Sequence, residues 1–457
     1  MKLPDTLIDK YNIPVPRYTS YPPANFFSDS FRTDDYLKAI EQSNNEDPQN
    51  ISIYIHIPFC SQLCLYCGCN THITKDRSLI EQYVKALKTE FKIISPLLNK
   101  NRKVSQIHWG GGTPNILSVN LIGEIMEYLT SEFSFIENPE IAIECNPAHL
   151  NHNYIEKLAA YGFTRISLGI QDFKEDVLKA VHREIPLIPV KELSSIIREC
   201  SMALNLDLIY GLPLQSAGSF ESSIKSTIEC NPDRLVTFSY AHVPWVKPAQ
   251  KKLEKIGLPS PDEKVKMFET AWKLMTGAGY IPIGLDHYAK PDDDMAIALG
   301  NKSLHRNFQG YCTRETTGQV YAFGVTGISQ LESVYAQNTY KVNEYIGSIA
   351  GNKIVIVKGY ELSRLEKIIR DVINEIMCNN YLSWERISNR FEMTSEQLKG
   401  MLDFHEDKLS GFRDDGLLEY NNKEIIISST GRFFLRNIAA VFDVNIADPS
   451  RKYSKSV

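Results

Sequence analysis

Several features that mark other protein classes are missing from this sequence of 457 residues. No apolar run approaches the roughly 20 residues needed to span a bilayer, and the charged segment 1–16 lacks the apolar core of a signal peptide. Neither an internal repeat nor a low-complexity tract occurs. We therefore expect a cytoplasmic, globular protein that has no membrane partner.

A strong excess of charge of one sign is also missing. The chain has 50 lysines and arginines against 55 aspartates and glutamates, a formal net charge of −5, so its overall field does not favour nucleic acid. From about Gly359 onward, helical segments and a probable hairpin at Leu418–Ile427 are similar to a winged-helix arrangement, but this segment has no basic recognition stripe. We predict a cap or packing domain with no nucleic-acid partner.

The nine cysteines are odd in number and unevenly spread, which argues against a disulfide framework. Cys60, Cys64, Cys67 and Cys69 lie within ten residues of one another. A structural zinc site usually takes a ligand from a second knuckle, but no second Cys-x2-Cys or His-x3-His pair is present, and the spacing differs from four-cysteine ferredoxin patterns. Three ligands with one open position favour a catalytic centre, and we expect the Cys69 side chain to leave the face that the other three share.

Strand-like runs alternate with helical-period segments between residues 51 and 240. The runs are Ile51–Ile57, Val104–Trp109, Glu140–Cys145, Arg165–Ile170, Leu204–Ile209 and Leu235–Tyr240. Six such units indicate parallel βαβ architecture, whereas a closed barrel would need eight. The prediction is an α/β fold: a partial (β/α)6 TIM-like barrel with trailing sheet elements at 51–350, an N-terminal extension at 1–50, and a mostly helical, winged-helix-like domain at 351–457.

The motifs at the predicted strand ends carry a specific resemblance. Cys60, Cys64 and Cys67 follow a Cys-x3-Cys-x2-Cys pattern after the first strand, with Tyr66 before the last cysteine. The other motifs are Tyr-Ile-His-Ile-Pro-Phe-Cys, His-Trp-Gly-Gly-Gly-Thr-Pro, Gly-Ile-Gln-Asp-Phe, Asp-Leu-Ile-Tyr-Gly-Leu-Pro, Tyr-Ala-His-Val-Pro, His-Arg-Asn-Phe-Gln-Gly-Tyr and Pro-Arg-Tyr-Thr-Ser-Tyr-Pro. On these residues the chain resembles the radical S-adenosylmethionine (SAM) enzymes and, within them, the oxygen-independent coproporphyrinogen III oxidases, over nearly its whole length.

The resemblance implies cofactors and a set of binding residues. A [4Fe-4S] cluster would be bound by Cys60, Cys64 and Cys67, and two SAM molecules would bind per chain. The residues implied for the first SAM are Tyr54, Gly111, Glu144 and Ile328. The residues implied for the second SAM are Tyr66, Gly112, Thr113, Gln171, Arg183, Asp207 and Ala241.

The implied reaction is the oxidative decarboxylation of two propionates of coproporphyrinogen III to vinyl groups, which gives protoporphyrinogen IX in anaerobic haem biosynthesis. It begins with reductive cleavage of SAM, and an electron donor such as flavodoxin or ferredoxin is the implied partner. We expect a monomer, because one partial barrel with its own cap domain needs no second chain.

Some of these residues also have purely structural interpretations. The Gly110–Pro114 segment could be only a tight turn, Glu144 a helix cap, Gln171 the end of a strand and Arg183 a solvated helix charge. Asp207 lies in an apolar strand, where an unpaired carboxylate is costly, so we expect it to have a partner such as Arg183.

A substrate with four carboxylates calls for cations, preferably arginines. The candidates are Arg17, Arg165 and Arg306. Arg17 belongs to the segment Pro16–Pro22, which is either a surface strap or a lid that brings this arginine to the site. His287 and His305 are candidates for hydrogen bonding or acid–base roles, with structural roles as the alternative.

One departure bears on the substrate. The sequence Glu-Cys-Asn-Pro at 144–147 stands where the resemblance leads us to expect Glu-Val-Asp-Pro. It is nearer to related haem chaperones, which bind haem without decarboxylase activity. Cys69, the Pro16–Pro22 segment and His305–Tyr311 favour the oxidase. A third hypothesis, a zinc-stabilised winged-helix binding protein, is disfavoured by the missing knuckle and the negative net charge.

Overall fold

The computed structural model describes residues 4–313, 318–446 and 453. Its strands are, in chain order, β1 Ile51–Ile57, β2 Phe59–Cys60, β3 His72–Ile73, β4 Lys103–Gly111, β5 Ser134–Cys145, β6 Arg165–Gln171, β7 Ala203–Tyr210, β8 Arg234–Ser239, β9 Ile281–Ile283, β10 His287–Ala289, β11 Leu304–Asn307, β12 Gly310–Thr313, β13 Gln319–Phe323, β14 Ile328–Gln330, β15 Val334–Asn338, β16 Ile356–Glu361, β17 Tyr381–Ser383, β18 Leu418–Tyr420 and β19 Glu424–Ile427.

Most of the helices follow these strands and cover them. They are, in chain order, α1 Asp5–Tyr11, α2 Thr33–Ser43, α3 Arg77–Ile94, α4 Val119–Glu132, α5 His152–Ala160, α6 Glu175–Ala180, α7 Val190–Glu199, α8 Ala217–Cys230, α9 Lys251–Ile256, α10 Pro261–Gly277, α11 Asp294–Gly300, α12 Val342–Ala350, α13 Arg364–Asn379, α14 Trp384–Arg390, α15 Ser395–Met401, α16 Asp407–Asp414 and α17 Leu435–Ala440. No helix in the described part of the chain is both long and apolar enough to cross a membrane.

One large sheet organises the molecule. Its strand order is β16-β15-β14-β13-β1-β4-β5-β6-β7-β8-β10-β9. The strands from β13 to β8 pair in parallel, and those at both edges pair antiparallel. The two ends of this order are not joined, so the prediction of a partial α/β barrel is confirmed. The parallel strand β13 comes in addition to the six that the sequence predicts.

The two faces of the parallel strands differ in polarity because successive side chains point to opposite faces. The face covered by helices is apolar and includes Ile53, Ile107, Trp109, Ile143 and Leu206, all of which are buried. The opposite, concave face is polar. Its residues include Tyr54, His108, Glu144, Ser167, Asn205 and Asp207, which the strand register places side by side. The polar side chains on this concave face suit the binding of a polar ligand.

A buried network of charges closes the amino-terminal end of this barrel. Glu140 accepts hydrogen bonds from Arg165 at 3.2 Å and from Arg234 at 3.1 Å. Asp293 pairs with the same two arginines, at 3.4 Å and 2.9 Å. Arg165 is the first residue of β6, so it lies at the end of the barrel opposite the strand ends where the ligand motifs occur. Two carboxylates already neutralise the charge of Arg165. Arg165 is therefore a structural residue and not the substrate-binding residue that the sequence suggests.

The terminal segments are tied to each other. The C-terminal helices pack with the antiparallel sheet β17-β19-β18, as the predicted winged-helix-like arrangement requires. Tyr18 and Tyr21 from the N-terminal segment belong to the same apolar cluster. The Tyr18 hydroxyl donates to Asp443 at 2.9 Å, and Arg436 donates to the carbonyl of Pro16 at 3.0 Å. The segment Pro16–Pro22 is thus a strap held by the C-terminal domain.

Neither predicted boundary of the barrel coincides with a break in the packing. Helix α2, within the predicted extension 1–50, contributes Tyr36, Ala39 and Ile40 to the main apolar core. Strand β16 lies beyond residue 350 and pairs with β15 in the large sheet. The sheet therefore continues for one further strand into the predicted C-terminal domain.

Candidate active site at the carboxyl ends of the strands

The cysteine-bearing loop leaves β1 and is fastened at both of its ends. It begins at Pro58, and its return strand β3 pairs with β2, where the amides of His72 and Thr74 donate to the carbonyls of Pro58 (2.7 Å) and Cys60 (3.0 Å). The turn after β4 fastens the start of the loop, because the Thr113 amide donates to the carbonyl of Phe59 at 2.9 Å. The Thr113 hydroxyl lies 3.3 Å from Cys60 Sγ.

The glycines of that turn permit the close approach. Gly111 has a φ of +117°, and a Cβ there would lie 2.8 Å from the carbonyl oxygen of Ile57. A Cβ on Gly112 would lie 2.6 Å from the carbonyl oxygen of Pro58 and 2.8 Å from that of Phe59. Real Cβ atoms do not approach oxygen so closely, so both positions need glycine. The turn after β4 and the cysteine loop therefore form one packed unit.

The thiols in the loop differ in their electrostatics. Burial raises the pKa of Cys60 to about 11. A hydrogen bond from the Cys69 thiol, together with the charges of Lys247 and Arg183, lowers the pKa of Cys67 to about 6. The Cys69 thiol lies beside Cys67, and Cys69 is exposed whereas Cys60, Cys64 and Cys67 are half-buried, so the orientation predicted for Cys69 stays a prediction.

Arg183 brings a positive charge to the same loop. Its Nη2 donates to the carbonyl of Gly169, and its Nη1 lies 3.9 Å from Cys64 Sγ. Its buried Nε has no hydrogen-bond partner among the described residues. Three cysteine side chains beside a buried cation with a free donor suit an anionic group such as an iron–sulfur–thiolate cluster. Within the same described residues, no three His, Cys, Asp or Glu side chains gather closely enough to hold a single metal ion.

Tyr54, His108 and Glu144 come together on the concave face above β1, β4 and β5. The rings of Tyr54 and His108 stack with centroids 6.0 Å apart, and Glu144 accepts a hydrogen bond from His108 Nε2 at 3.0 Å. Burial lowers the pKa of His108, but the hydrogen bond and charge of Glu144 outweigh it and raise the pKa overall. The Glu144 side chain remains 44% exposed, so its second oxygen is available to a ligand. Glu144 is held by His108 and does not cap a helix; Asn146 caps the next helical turn.

Asp207 lies further along the same face, but its partner differs from the prediction. Burial and the nearby charge of Glu144 raise the pKa of Asp207 to about 6. Its carboxylate accepts a hydrogen bond from Asn205 at 2.8 Å, whereas Arg183 reaches Gly169 and Cys64 instead. The expected Asp207–Arg183 pair is therefore wrong. A neutral amide two residues away satisfies the carboxylate and leaves Arg183 to the cysteine loop.

Two of the residues implied for the second SAM meet through a residue that the sequence did not single out. The Gln250 side chain donates to the carbonyls of Tyr66 at 3.1 Å and Ala241 at 3.3 Å, and so joins the cysteine loop to the loop after β8. Gln171 ends β6 with a φ of +70°. The side-chain nitrogen of Gln171 would lie 2.8 Å from a Cβ added to Gly169. The carbonyl of Gly169 also accepts the hydrogen bond from Arg183. Tyr66, Ala241, Gln171 and Arg183 thus line one side of the cysteine loop.

Ile328 lies on the other side of the first strand. The turn before it contacts β1, where the Thr326 hydroxyl is 3.3 Å from His56 Nε2. The Tyr83 hydroxyl donates to the carbonyl of His56 at 2.7 Å and accepts from the amide of Val325 at 3.0 Å. These contacts place the start of β14, and Ile328 with it, beside the end of β1 that delivers the cysteines.

A second polar group faces the mouth of the barrel from β10 and the β11–β12 hairpin. Asp286 accepts a hydrogen bond from His287 Nδ1 at 2.6 Å. Burial raises the pKa of Asp286, but the charges of His287, Arg306 and Arg17 lower it overall. The Arg306 guanidinium lies 4.7 Å from the ring centre of Tyr311, and its buried Nε has no described partner. His305 precedes Arg306 on β11, and its acid–base or structural role stays a prediction.

Asn146, the departure from the expected motif, bridges two parts of the site. Its side chain donates to Glu184 at 2.7 Å and accepts from the amide of Ala148 at 3.2 Å. Glu184 also accepts from Ser61 at 3.0 Å, and His149 Nε2 lies 3.0 Å from it. Asn146 therefore helps to tie the cysteine loop, through Ser61, to the end of β5.

We expect Asn146→Asp to destabilise the protein by about 1–2 kcal/mol at pH 8, because it replaces a donor with a second carboxylate beside Glu184. The like charges would raise the pKa of the pair in the folded state, so the deficit should shrink on acidification to pH 5, where the pair takes up a proton. Anaerobic urea unfolding at both pH values measures this. Asn151→Asp is the matched control, since Asn151 only caps α5 and aspartate caps equally well. A deficit independent of pH would contradict the charge explanation.

Comparison with known proteins agrees with this geometry. The Radical SAM superfamily model matches residues 54–226. The oxygen-independent coproporphyrinogen III oxidase of Synechocystis sp. (strain ATCC 27184 / PCC 6803 / Kazusa) is 39% identical over 450 residues, which cover 98% of this chain and 96% of the relative. The protein of the same name from Escherichia coli (strain K12) is 38% identical over 448 residues, 97% of this chain and 96% of the relative.

A solved structure supports the same assignment. The radical SAM enzyme coproporphyrinogen III oxidase (HemN) from Escherichia coli superposes with a TM-score of 0.89 at 36% identity, and the match covers 97% of this chain and 99% of that chain. The similarity therefore extends over the barrel, the strap and the C-terminal domain together. This chain belongs to the radical SAM family of oxygen-independent coproporphyrinogen III oxidases.

Proposed function

We propose that this protein oxidatively decarboxylates two propionate side chains of coproporphyrinogen III to vinyl groups and so forms protoporphyrinogen IX in anaerobic haem biosynthesis. The observation that carries the proposal is the packed unit of cysteine loop and glycine turn at the carboxyl ends of the strands, beside Glu144 and the cations of the barrel mouth. This arrangement supports a redox centre beside groups that suit an anionic substrate.

The thiols of Cys60, Cys64 and Cys67 would hold a [4Fe-4S] cluster, and Arg183 would neutralise part of its negative charge. When bound, the cluster and SAM supply one-electron chemistry that the side chains themselves cannot perform. The chain's own residues bind and orient the reactants and keep competing hydrogen donors away. The stacked Tyr54 and His108 rings and the half-exposed Glu144 carboxylate form a polar wall suited to hydroxyl groups.

We further propose that two SAM molecules bind per chain, beside each other at the carboxyl ends of the strands. Tyr54, Gly111, Glu144 and Ile328 would contact the first. Tyr66, Gly112, Thr113, Gln171, Arg183, Asp207 and Ala241 would contact the second. Two observations support the second group. Gln250 donates hydrogen bonds to the carbonyls of both Tyr66 and Ala241, and the buried Nε of Arg183 has no hydrogen-bond partner among the described residues.

Arg17 and Arg306 are proposed to bind substrate carboxylates, since both guanidinium charges act on Asp286 at the barrel mouth. Arg306 also keeps a buried donor that no described residue occupies. We propose a small electron-transfer protein, such as flavodoxin or ferredoxin, as the reductant. We propose the cytoplasm as the compartment, because a reducing environment keeps the cysteine thiols available. The working form that we propose is a monomer.

The reconstituted protein should convert coproporphyrinogen III to protoporphyrinogen IX under anaerobic conditions with SAM and a reductant, and 5′-deoxyadenosine should accumulate. Cys64→Ser should abolish both products, because it removes a thiol of the cysteine loop. Cys200→Ser is the matched control, since Cys200 lies at the end of α7, away from the loop, and it should retain wild-type turnover. Both products are followed by chromatography.

Wild-type protein that forms neither product would refute the oxidase. Stoichiometric haem binding without turnover would instead indicate the chaperone function of related proteins. Iron analysis of the same samples shows whether loss of activity in Cys64→Ser accompanies loss of the cluster.

A further inference from the structure

His56 lies between residues that we propose for the first SAM. It follows Tyr54 by two positions on β1, so both side chains lie on the concave face, and it is only 7% exposed. Its Nδ1 lies 3.1 Å from the Tyr54 hydroxyl, and its Nε2 lies 3.3 Å from the hydroxyl of Thr326, in the turn before Ile328. One imidazole ring therefore joins the first strand to the turn that leads into β14.

The glycine turn after β4 packs against the same ring. A Cβ on Gly111 would lie 2.9 Å from both Cε1 and Nε2 of His56. The ring is thus enclosed by β1, by the turn at Thr326 and by the turn at Gly111. Because interiors are close-packed, a ring held on three sides has one available orientation.

The turn that carries Thr326 is held from its far side. Glu90, which is buried on α3, accepts a hydrogen bond from the Gly324 amide at 2.8 Å. Thr326 has a φ of +57°, and its amide donates to the carbonyl of Thr339 at 2.8 Å. Since these contacts fix the turn without His56, the Thr326 hydroxyl is a fixed partner for the imidazole.

The hydrogen bonds decide which nitrogen of His56 carries the proton. Burial lowers the pKa of His56 to about 4, against a smaller opposing effect of the Asn70 backbone, so the ring is neutral at pH 7 and has a single N–H. The Thr326 hydroxyl directs its only hydrogen to the carbonyl of Val325 at 2.7 Å, so it accepts from Nε2. Nδ1 is then an acceptor, and the Tyr54 hydroxyl donates to it.

This arrangement leaves two acceptors side by side on the concave face. The Tyr54 oxygen keeps its lone pairs, and Glu144 keeps its second oxygen because the first accepts from His108. A Cβ on Gly110 would lie 3.1 Å from the Tyr54 oxygen and 3.0 Å from Glu144 Oε1, so both groups flank the same point. Burial and the charge of Glu144 raise the pKa of Tyr54 well above its usual value, so it stays a neutral phenol. Two neighbouring acceptors suit a cationic ligand group.

We propose that His56 is a positioning residue for SAM, which accepts the Tyr54 hydrogen and so turns the Tyr54 oxygen into an acceptor for the positively charged part of SAM. This inference rests on the proposed function, because it assigns a task within the first of the two proposed SAM sites. His56 acts through Tyr54, and Thr326 fixes its orientation. The expected signature is a preference for SAM over S-adenosylhomocysteine, whose sulfur is uncharged.

Two substitutions separate the roles of the two ring nitrogens. In His56→Asn the side-chain oxygen lies as far from Cα as Nδ1 does and can accept from Tyr54. In His56→Gln the amide extends to the position of Nε2 and leaves Tyr54 without this acceptor. We expect His56→Gln to raise the Kd for SAM about tenfold and to bring it closer to the Kd for S-adenosylhomocysteine, whereas His56→Asn should stay nearer to wild type.

Both Kd values are measured by anaerobic equilibrium dialysis with reconstituted, unreduced protein, in which SAM is not cleaved. Tyr321→Phe is the matched control, because it removes a buried tyrosine hydroxyl from the neighbouring strand β13, where Arg102 donates to it at 2.7 Å beside the start of β4. It should leave both Kd values at the wild-type level. Thermal unfolding of every variant shows which of them have folded.

Tyr54→Phe tests whether His56 acts through this tyrosine. Alone it should reduce the preference for SAM over S-adenosylhomocysteine. Adding His56→Gln should then change the Kd for SAM little further, because the two substitutions remove the same oriented oxygen. If His56→Gln does not fold, Thr326→Val takes its place. It keeps the shape of the side chain, removes the acceptor that fixes Nε2–H, and should give the same change in preference to a smaller extent.

Equal Kd values for SAM in His56→Asn and His56→Gln, or independent effects of His56→Gln and Tyr54→Phe, would overturn the role of His56. Such a result in an enzyme whose wild type still forms protoporphyrinogen IX leaves the proposed function intact. A wild type that binds SAM but forms no product refutes the proposed function in its substrate, and the Kd values still decide whether His56 orients Tyr54.

Discussion

Gly112→Ala should lower turnover of coproporphyrinogen III by about 100-fold or more, since displacing catalytic groups by an ångström costs about that much. The added methyl carbon would lie 2.6 Å from the carbonyl oxygen of Pro58 and 2.8 Å from that of Phe59. Both oxygens belong to the backbone that leads into Cys60, so no side-chain rotation can relieve the contact. The cysteine loop must move away from the turn after β4.

The substitution should change the site before it changes the fold. After reconstitution we expect a lower iron content, a weaker visible absorbance of the cluster and weaker SAM binding. The helical circular dichroism signal should stay unchanged. Gly218→Ala is the matched control, because a Cβ at Gly218 in α8 meets nothing within 4 Å and alanine favours a helix. Wild-type iron content and turnover in Gly112→Ala would contradict the tight packing between turn and loop.

Glu140→Ala should lower the free energy of unfolding by about 3–5 kcal/mol, the usual cost of removing one member of a buried ion pair. Glu140 contacts Arg165 at 3.2 Å and Arg234 at 3.1 Å. Without it, two buried guanidinium groups would share the single carboxylate of Asp293. The net excess of positive charge would lie on two guanidinium groups with little access to water, since their side chains are only 11% and 7% exposed, and this is the source of the large effect.

Urea unfolding of the variant and wild type at pH 7 measures this difference. Glu175→Ala is the control, because Glu175 pairs with Lys179 on an exposed helix surface at 2.9 Å and surface pairs contribute little. An equal effect of both substitutions would show that burial does not determine the contribution of Glu140.

The stabilisation from Glu140 should also depend on pH in a defined direction. Burial raises the pKa of this carboxyl, but the charges of Arg234 and Arg165 outweigh it and hold the pKa well below its usual range. A lowered folded-state pKa gives stability that is present above the unfolded value of about 4.3 and is lost as the pH falls toward the folded one. The deficit of Glu140→Gln relative to wild type should therefore be constant from pH 7 to pH 5 and shrink only below that range.

The sequence predicts the parallel strands well because each is a buried, β-branched run with a turn at its end. It does not reveal β13, which has only five residues and lies outside the strand–helix alternation of residues 51–240. The strand register of the structure brings Glu144 and Asp207 to one concave face. Periodicity along single strands cannot show which side chains pair across strands, so Asn205 was missed as the partner of Asp207.

The different place of Arg165 has a physical cause. Arg165 has the residue type that carboxylate binding needs, but it begins its strand and so lies at the wrong end of the barrel. The decisive quantity is the position along the barrel axis, which depends on how the elements pack and not on local sequence.

The strap anchored by Tyr18 and Arg436 has a consequence for biosynthesis of the protein. The ribosome releases the strap among the first residues, but its anchors Asp443 and Arg436 are among the last described ones to be made. Until those two residues have been made, their hydrogen bonds cannot hold the strap that carries Arg17. The cation that we assign to substrate capture is therefore positioned only after nearly the whole chain has been translated, and a truncated product would have a cysteine loop without a complete substrate site.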